Sequence, residues 1–232
     1  MMVIEARELA KTYVGGDGSS IRVLDGIDLD VGRGELLAVV GSSGAGKSTL
    51  LHLLGALDRP TRGYVVLDGE PIHGRSDAEL AALRNRKVGF VFQFHHLLRE
   101  FSALENVMMP MRIANWELKR ARSRAEELLA RVGLSGRMTH RPSELSGGEQ
   151  QRVAVARALA LDPVVVLADE PSGNLDHVNA ERLHDQLVEL VRDLEVAMVV
   201  ATHNRSLAAR ADRALVLEDG RLRDTDVREV VP

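Results

Sequence analysis

A glycine-rich loop between an apolar run and a helical pattern constrains this chain more than any other feature. The loop fits G-x-x-x-x-G-K-[ST], and the apolar residues Leu36–Val40 lead directly into it. Glycines let backbone N–H groups turn toward an anion, and the following helix presents its positive end to the same place. We therefore expect a nucleoside triphosphate site formed by Gly41, Ser42, Ser43, Gly44, Ala45, Gly46, Lys47, Ser48 and Thr49.

Two side chains of this loop carry distinct expected roles. Lys47 is long enough to reach the β- and γ-phosphates, and the Ser48 hydroxyl can ligate Mg²⁺. The alternative is a flexible Gly/Ser loop without a ligand. The flanking strand and helix patterns favour the phosphate site, so ATP and Mg²⁺ are the expected cofactors.

Length and composition exclude several classes of protein. The 232 residues suit one α/β domain, or one domain with an insertion. A formal charge of -4 argues against a nucleic-acid binder that relies on a basic surface, and the absence of cysteine excludes disulfides and thiolate metal sites. No apolar run exceeds about six residues, so we expect no membrane span and no secretion signal. Any membrane role should come through a partner.

Strand patterns dominate the first part of the chain. We predict short strands at residues 3–9, 21–24 and 27–31, another at 63–67, and a capped helix that begins at Ser76. Tyr13 lies between two of these strands. It is either a stacking platform for a nucleotide base or a packing residue at a strand end, and the residues alone favour packing.

The middle of the chain has a helical pattern. Gln93 follows a predicted strand at residues 87–92, where it could touch Mg²⁺ or the attacking water. Residues 94–155 then form an expected helical insertion, which divides the remaining α/β core into residues 1–93 and 156–232. Within the insertion, Ser146 and Glu149 form a capping box around Gly147 and Gly148. The helix is either simply well capped, or its glycines leave a positive backbone end for an anion.

Two further buried strands are predicted to end in chemistry-bearing side chains. Residues 164–168 lead into Asp169 and Glu170, at the end of a parallel strand where ligands of α/β sheets bind. Asp169 matches a Mg²⁺ ligand of phosphate-loop enzymes, and Glu170 is placed to act as general base. Residues 197–202 lead into His203, which can donate a hydrogen bond to a γ-phosphate, although a lone histidine is more often structural.

Together these motifs resemble the ATP-binding-cassette (ABC) family, in that family's order and over essentially the whole chain. The resemblance implies one α/β phosphate-loop NTPase core with an N-terminal antiparallel β subdomain and an inserted α-helical subdomain. It also implies a head-to-tail homodimer in which each ATP touches the loop of one chain and Ser146, Gly147 and Gly148 of the other. Tyr13 then matches the adenine-stacking aromatic, Gln93 links nucleotide to membrane partner, and Asp176 communicates across the dimer.

Residues 91–107 carry a finer resemblance, to the ATPase subunits of bacterial lipoprotein-releasing exporters. Arg99 stands where that pattern has proline, and macrolide-exporter and cell-division ATPases share the His-Leu-Leu portion. The resemblance implies a Mg²⁺-dependent ATPase, peripheral on the cytoplasmic face of the inner membrane, that docks its membrane subunits between Phe94 and Phe101. We expect the apolar side chains of this region either in the subdomain core or in a partner groove: Leu97, Leu98, Met108, Met109 and Met111.

Two other readings use the same cassette. DNA-maintenance ATPases interrupt it with long coiled coils, and no sustained heptad insertion is present here. A regulatory cassette that signals to cell-wall enzymes stays open, because only the membrane partner differs.

Overall fold

The computed structural model describes residues 1–225, in two sheets and seven α-helices. The strands are β1 (Met2–Val14), β2 (Ser20–Gly32), β3 (Leu36–Val40), β4 (Arg62–Leu67), β5 (Glu70–Pro71), β6 (Val88–Phe92), β7 (Val165–Asp169), β8 (Ala197–Thr202), β9 (Arg213–Glu218) and β10 (Arg221–Thr225). The helices are α1 (Lys47–Leu54), α2 (Asp77–Lys87), α3 (Ala103–Ile113), α4 (Leu118–Arg131), α5 (Gly147–Ala158), α6 (His177–Leu194) and α7 (Arg205–Ala208).

The first sheet is antiparallel, with strand order β2-β1-β4-β5. The two strands predicted at residues 21–24 and 27–31 are one strand, because pairing with β1 continues past Gly26 through several register shifts. Gly26 has φ +71°, a conformation that glycine adopts without steric cost and that lets the strand bend without ending.

The second sheet places the carboxyl ends of its central strands side by side. Its order is β10-β9-β3-β8-β7-β6, parallel except for β10. In register, Val40 pairs with Thr202, and Asp169 pairs with both Ala201 and Phe92. The residues that follow these positions therefore meet at one edge of the sheet.

Apolar packing on both faces holds this sheet in the interior. Along β3, Leu36, Ala38 and Val40 face a cluster shared with α3 to α6, whereas Leu37 and Val39 face a cluster shared with α1 and the antiparallel sheet. All five residues are buried, which is why β3 has a continuous apolar sequence rather than an alternating one.

Three helices, α3, α4 and α5, separate β6 from β7 and pack on one another. The caps predicted at Ser76 and Ser146 form as capping boxes, and Ser102 with Glu105 forms another at the start of α3. The boundary expected at residue 155 would fall inside α5, which also packs on β6, so the exact division of the chain stays a prediction. Over residues 1–225, no helix combines the length and apolar character that a bilayer crossing requires.

Candidate active site

A cavity of about 800 Å³ lies where the central strands end. Eight of the nine loop residues line it, and Ala45, the ninth, packs against the hydrophobic cluster below. The structure brings four further predicted residues from three other strand ends to the same cavity: Gln93, Asp169, Glu170 and His203. The fold therefore assembles in one place the groups that the sequence scatters over more than 160 positions.

The N-terminus of α1 faces this cavity without a side-chain cap and without an acidic residue in its first turn. Gly46 precedes the helix with φ +102°, and a Cβ atom there would lie 2.8 Å from Val23 Cγ1. Only glycine fits this position without strain. The uncapped N–H groups and the helix dipole together make an anion site.

Lys47 supplies the positive charge beside that helix end. Its Nζ donates to the carbonyl oxygens of Gly41 at 2.9 Å and Ser42 at 3.1 Å, and lies 3.9 Å from Glu170 Oε1. The residue is only 8% exposed. A buried ammonium held against the loop in this way is positioned for phosphate oxygens.

Donors from the neighbouring strand end hold Glu170. Its carboxylate accepts from His203 Nδ1 at 2.8 Å, from the His203 backbone N–H at 3.1 Å and from Thr202 Oγ1 at 3.2 Å. Because an ionised carboxylate only accepts, Nδ1 of His203 carries a proton in this geometry, and Nε2 can donate to a phosphate oxygen only when the ring is protonated on both nitrogens. Glu170 also has φ +45°, an uncommon conformation for a non-glycine residue and one found at functional sites.

The three expected Mg²⁺ ligands all line the cavity, each with a different oxygen. Ser48 provides a hydroxyl, Asp169 a carboxylate and Gln93 an amide, a donor set suited to Mg²⁺, which binds few carboxylates beside phosphates and water. Asn174 orients Gln93, since Gln93 Nε2 donates to Asn174 Oδ1 at 3.1 Å and Asn174 Nδ2 donates to the Gln93 backbone carbonyl at 3.0 Å. Within residues 1–225, His, Cys, Asp and Glu form no cluster of three or more that could hold a metal alone.

The residues predicted to act across the dimer, Ser146, Gly147, Gly148 and Asp176, lie outside this cavity. Ser146 caps α5 by accepting from the Glu149 N–H at 3.3 Å, and Gly147 and Gly148 form the first turn. Asp176 caps α6 by accepting from the Asn179 N–H at 3.0 Å, a hydrogen bond that lowers the pKa of the Asp176 carboxyl.

Tyr13 also lies outside the cavity lining, near the end of β1. Its hydroxyl donates to Asp58 at 3.0 Å, the Lys11 ammonium lies 4.8 Å from its ring centroid, and the residue is 41% exposed. Its role as a base-stacking platform stays a prediction.

A model of the family described as ABC transporter matches residues 24–173 of the chain. The chain belongs to the ABC transporter family. This match spans the loop, Gln93, the start of α5 and the Asp169–Glu170 pair. The expected fold class is confirmed, because a solved structure of the same shape, the dimeric MJ0796 bacterial ABC transporter cassette, is 38% identical with a TM-score of 0.88 over 97% of this chain and 99% of that one. A second, described as a post-hydrolysis state of MJ0796 bound to ADP and Pi, has a TM-score of 0.87 and the same identity and coverage.

Curated relatives of this ABC chain resemble it over nearly their full length. The lipoprotein-releasing system ATP-binding protein LolD 2 of Chlorobaculum tepidum is 52% identical over 95% of this chain and 92% of its own. The LolD proteins of Geobacter metallireducens and Xanthomonas campestris pv. campestris are 53% and 54% identical, over 95% and 96% of this chain and 97% and 92% of theirs.

Some residues at this site escaped the sequence analysis. Thr202 and Asn174 orient Glu170 and Gln93 from 32 and 81 positions away, and Val23 lines the cavity from the antiparallel sheet. No local pattern marks such partners, because only the sheet register brings them together. The available signals were Thr202 immediately before His203, and Asn174 in the polar turn that follows Glu170 and Pro171.

Proposed function

We propose that this protein is the ATP-hydrolysing subunit of an ABC transporter that releases lipoproteins from the inner membrane. The observation that carries the proposal is the cavity, which joins the phosphate loop to two acidic residues and a histidine at neighbouring strand ends. Similarity above 50% to LolD proteins over nearly their whole length supports the specific transport system.

The loop binds the nucleotide phosphates. Backbone N–H groups at the start of α1 receive the phosphate oxygens, and Lys47 neutralises the β- and γ-phosphates. Ser48, Asp169 and Gln93 would hold Mg²⁺, which supplies charge neutralisation and orientation of the phosphates when bound. Tyr13 stacks on the adenine, and Thr49 completes the phosphate cradle.

Glu170 accepts a proton from the attacking water, and His203, with both ring nitrogens protonated, donates from Nε2 to the γ-phosphate. His203 Nδ1 donates a hydrogen bond to Glu170 Oε1 at 2.8 Å. The position of the histidine ring therefore fixes the orientation of the Glu170 carboxylate that acts as the base. Thr202 holds the second carboxylate oxygen and limits rotation of the side chain.

A second copy of the chain completes each site. Ser146, Gly147 and Gly148 lie outside the cavity of their own chain, and a Cβ atom on Gly147 would meet no atom closer than Leu175 Cδ2 at 3.8 Å. Packing within one chain therefore does not require glycine at position 147, whereas close approach of the nucleotide bound to the partner chain does. Asp176, the N-cap of α6 and the neighbour of Leu175, carries the signal between the two sites. The related MJ0796 cassettes are dimeric, which supports this arrangement.

Membrane subunits dock on the docking segment, which we define as residues 94–101. Phe94, Leu98 and Phe101 are 65%, 42% and 38% exposed, and together they offer apolar side chains next to the nucleotide-contacting Gln93. Leu97 packs instead against the hydrophobic core, as do the buried Met108 and Met111, so the docking contact rests on Phe94, Leu98 and Phe101. The chain then sits peripherally on the cytoplasmic face of the inner membrane.

Reconstitution tests the function directly. The chain is combined with lipoprotein-releasing membrane subunits in proteoliposomes that contain an acylated lipoprotein and its soluble acceptor. We expect ATP-dependent transfer of lipoprotein to the acceptor, and none with the Glu170→Gln variant. ATP hydrolysis without transfer, together with assembly on a macrolide-exporter or cell-division membrane subunit, would reject lipoprotein release while leaving the ATPase intact.

A further inference from the structure

The docking segment contains neither helix nor strand, yet buried side chains hold its backbone. Such a stretch would ordinarily sample many conformations, because one backbone hydrogen bond, from the Phe101 N–H to the Leu98 carbonyl at 3.2 Å, is all that is recorded within it. Its backbone groups find their partners on two helices instead, α5 on one side and α3 on the other. These partners were not among the predicted functional residues.

Arg157, in the last turn of α5, holds the first half of the segment. Its Nη2 donates to the His95 carbonyl and its Nη1 to the His96 carbonyl, both at 2.8 Å. Burial lowers the pKa of this guanidinium from its ordinary value, and no ion pair is recorded for it within residues 1–225. The planar fork brings a separate nitrogen to each of the two successive carbonyls in a fixed direction, whereas lysine offers a single nitrogen on a flexible stem.

Asn106, in the second turn of α3, holds the other half. It is 0% exposed, and its Oδ1 accepts from the Leu98 N–H at 2.8 Å. Its Nδ2 lies within hydrogen-bond distance of three carbonyls, those of Leu98, Phe101 and Ser102, at 3.1, 3.1 and 2.9 Å. One buried amide thus satisfies both the donor and the acceptors of a loop turn, which makes the conformation specific.

His96 lies between these two anchors and has φ +47°. A non-glycine residue keeps this conformation only when its surroundings determine it. One more contact extends the attachment along α5, since Gln151 Nε2 donates to the Phe92 carbonyl at 3.2 Å, immediately before Gln93 and the segment. The segment is therefore fastened to the helix that begins at Ser146.

We propose that Arg157 and Asn106 are positioning residues that fix the docking segment in one conformation before the membrane subunits bind. The proposal rests on the proposed function, and it deepens it by naming what presents Phe94, Leu98 and Phe101 as a preformed surface. The partner is the apolar face of an amphipathic helix, which meets ordered side chains rather than ordering them on contact. Because Arg157 and Gly147 belong to the same helix, movement of the docked helix also moves the start of α5.

The decisive variant is Arg157→Lys, which keeps the charge and removes the fork. Its matched control is Arg131→Lys, an exposed arginine of α4 that pairs with Glu127 at 3.3 Å. We expect amide hydrogen exchange in residues 94–101 of the isolated chain to rise about five-fold or more, as for the loss of a hydrogen bond. Affinity for the membrane subunits in nanodiscs should fall about ten-fold, with ATP affinity and melting temperature within the range of the control.

Asn106→Ser adds a residue-specific readout, because the Leu98 amide loses the acceptor that protects it. Exchange at Leu98 should accelerate more than at any amide of α6, which lies elsewhere in the fold. If this variant does not fold, Arg157→Lys alone decides the question. A folded Arg157→Lys protein whose segment exchanges like wild type, or whose segment loosens without weakening assembly, overturns the proposal.

A separate variant distinguishes this proposal from the docking surface itself. Leu98→Glu places a charge on the exposed patch without touching either anchor side chain. If Leu98→Glu assembles with the membrane subunits like wild type, the proposed docking contact fails, whatever the exchange measurement shows. If it fails to assemble while Arg157→Lys assembles normally, the docking contact stands and the positioning role is rejected.

Discussion

Two helices of this protein, α1 and α5, begin with glycine-rich sequences, and their N-termini differ in capping and in charge. This difference bears on the proposal that each ATP site is shared between two chains. The N-terminus of α1 has no side-chain cap and no acidic residue in its first turn, and it opens into the cavity of its own chain. The N-terminus of α5 is capped by Ser146 and has Glu149 in its first turn. Both helices point a positive end outward, but only α1 leaves that charge uncompensated.

The glycines of the two helices differ for a steric reason. Gly46 is required by its own chain, because φ is +102° and a side chain would meet Val23 at 2.8 Å. Gly147 has an ordinary φ, and its nearest neighbour would be 3.8 Å from a Cβ atom. The comparison teaches that packing within the chain requires glycine at position 46 and leaves open space at position 147, where we propose that the partner's nucleotide approaches.

The largest expected effect tests whether ATP hydrolysis depends on Glu170, in the cavity at the N-terminus of α1. Glu170→Gln keeps the shape and the acceptor oxygen but removes the base, so turnover should fall about 10²- to 10⁴-fold. ATP binding should persist, and the ATP-bound dimer should accumulate on size-exclusion chromatography. The control is Glu189→Gln, an exposed position on α6. Near-normal turnover in Glu170→Gln would show that Glu170 is not the general base.

A mixing experiment tests whether the two helix ends meet only between chains. A Lys47→Ala chain damages the α1 side and a Ser146→Arg chain damages the α5 side, so a mixed dimer contains one doubly damaged site and one intact site. Activity of the mixture should exceed that of either variant alone. Heterodimer formation is verified with two affinity tags. No gain in a verified heterodimer would contradict a shared site.

The glycine pair gives a smaller effect that sharpens the contrast. Gly46→Ala should lower both ATP affinity and stability, by about 1–2 kcal/mol for the left-handed backbone and more for the contact with Val23. Gly147→Ala should leave ATP binding unchanged and raise the stability of the isolated chain by up to about 1 kcal/mol, since alanine favours the helix. Turnover should nevertheless fall about ten-fold. Calorimetry measures ATP binding and stability, and a phosphate-release assay measures turnover. If Gly147→Ala hydrolyses ATP normally, no partner approaches that helix end.

The smallest effect concerns the compensating charge at α5. Hydrogen bonds from Ser146 lower the pKa of the Glu149 carboxyl, so its contribution to stability is present above the unfolded pKa and is lost as pH falls toward the lower folded value. Glu149→Gln should therefore reduce the free energy of unfolding by about 0.5–1 kcal/mol at pH 7. The difference should shrink as the pH is lowered through 4, measured by urea denaturation. A constant difference across this range would show that the carboxylate charge plays no part in the cap.

Local patterns predicted much of this molecule because the forces behind them act within a few residues. The strand–loop–helix of residues 36–54, the helix caps at Ser76 and Ser146 and the apolar strand at residues 197–202 were all predicted from the sequence and are present in the structure. Backbone conformation at glycine and capping at serine are short-range properties. The identity of the phosphate loop and its ABC family therefore followed from the sequence.

Long-range packing decided what local patterns could not. Leu97 and Leu98 are adjacent and chemically identical, yet one packs against the core and the other is 42% exposed, because α3 and α5 fix the backbone between them. Glu170 is an acid at a strand end in the sequence, but its orientation depends on Thr202 and His203 from the neighbouring strand. The sequence by itself identified the ABC family and the polar residues that we propose bind and cleave a nucleotide. Only the tertiary structure decided which of them share one cavity and which face outward, since sheet register and helix packing bring together residues that are far apart in the chain.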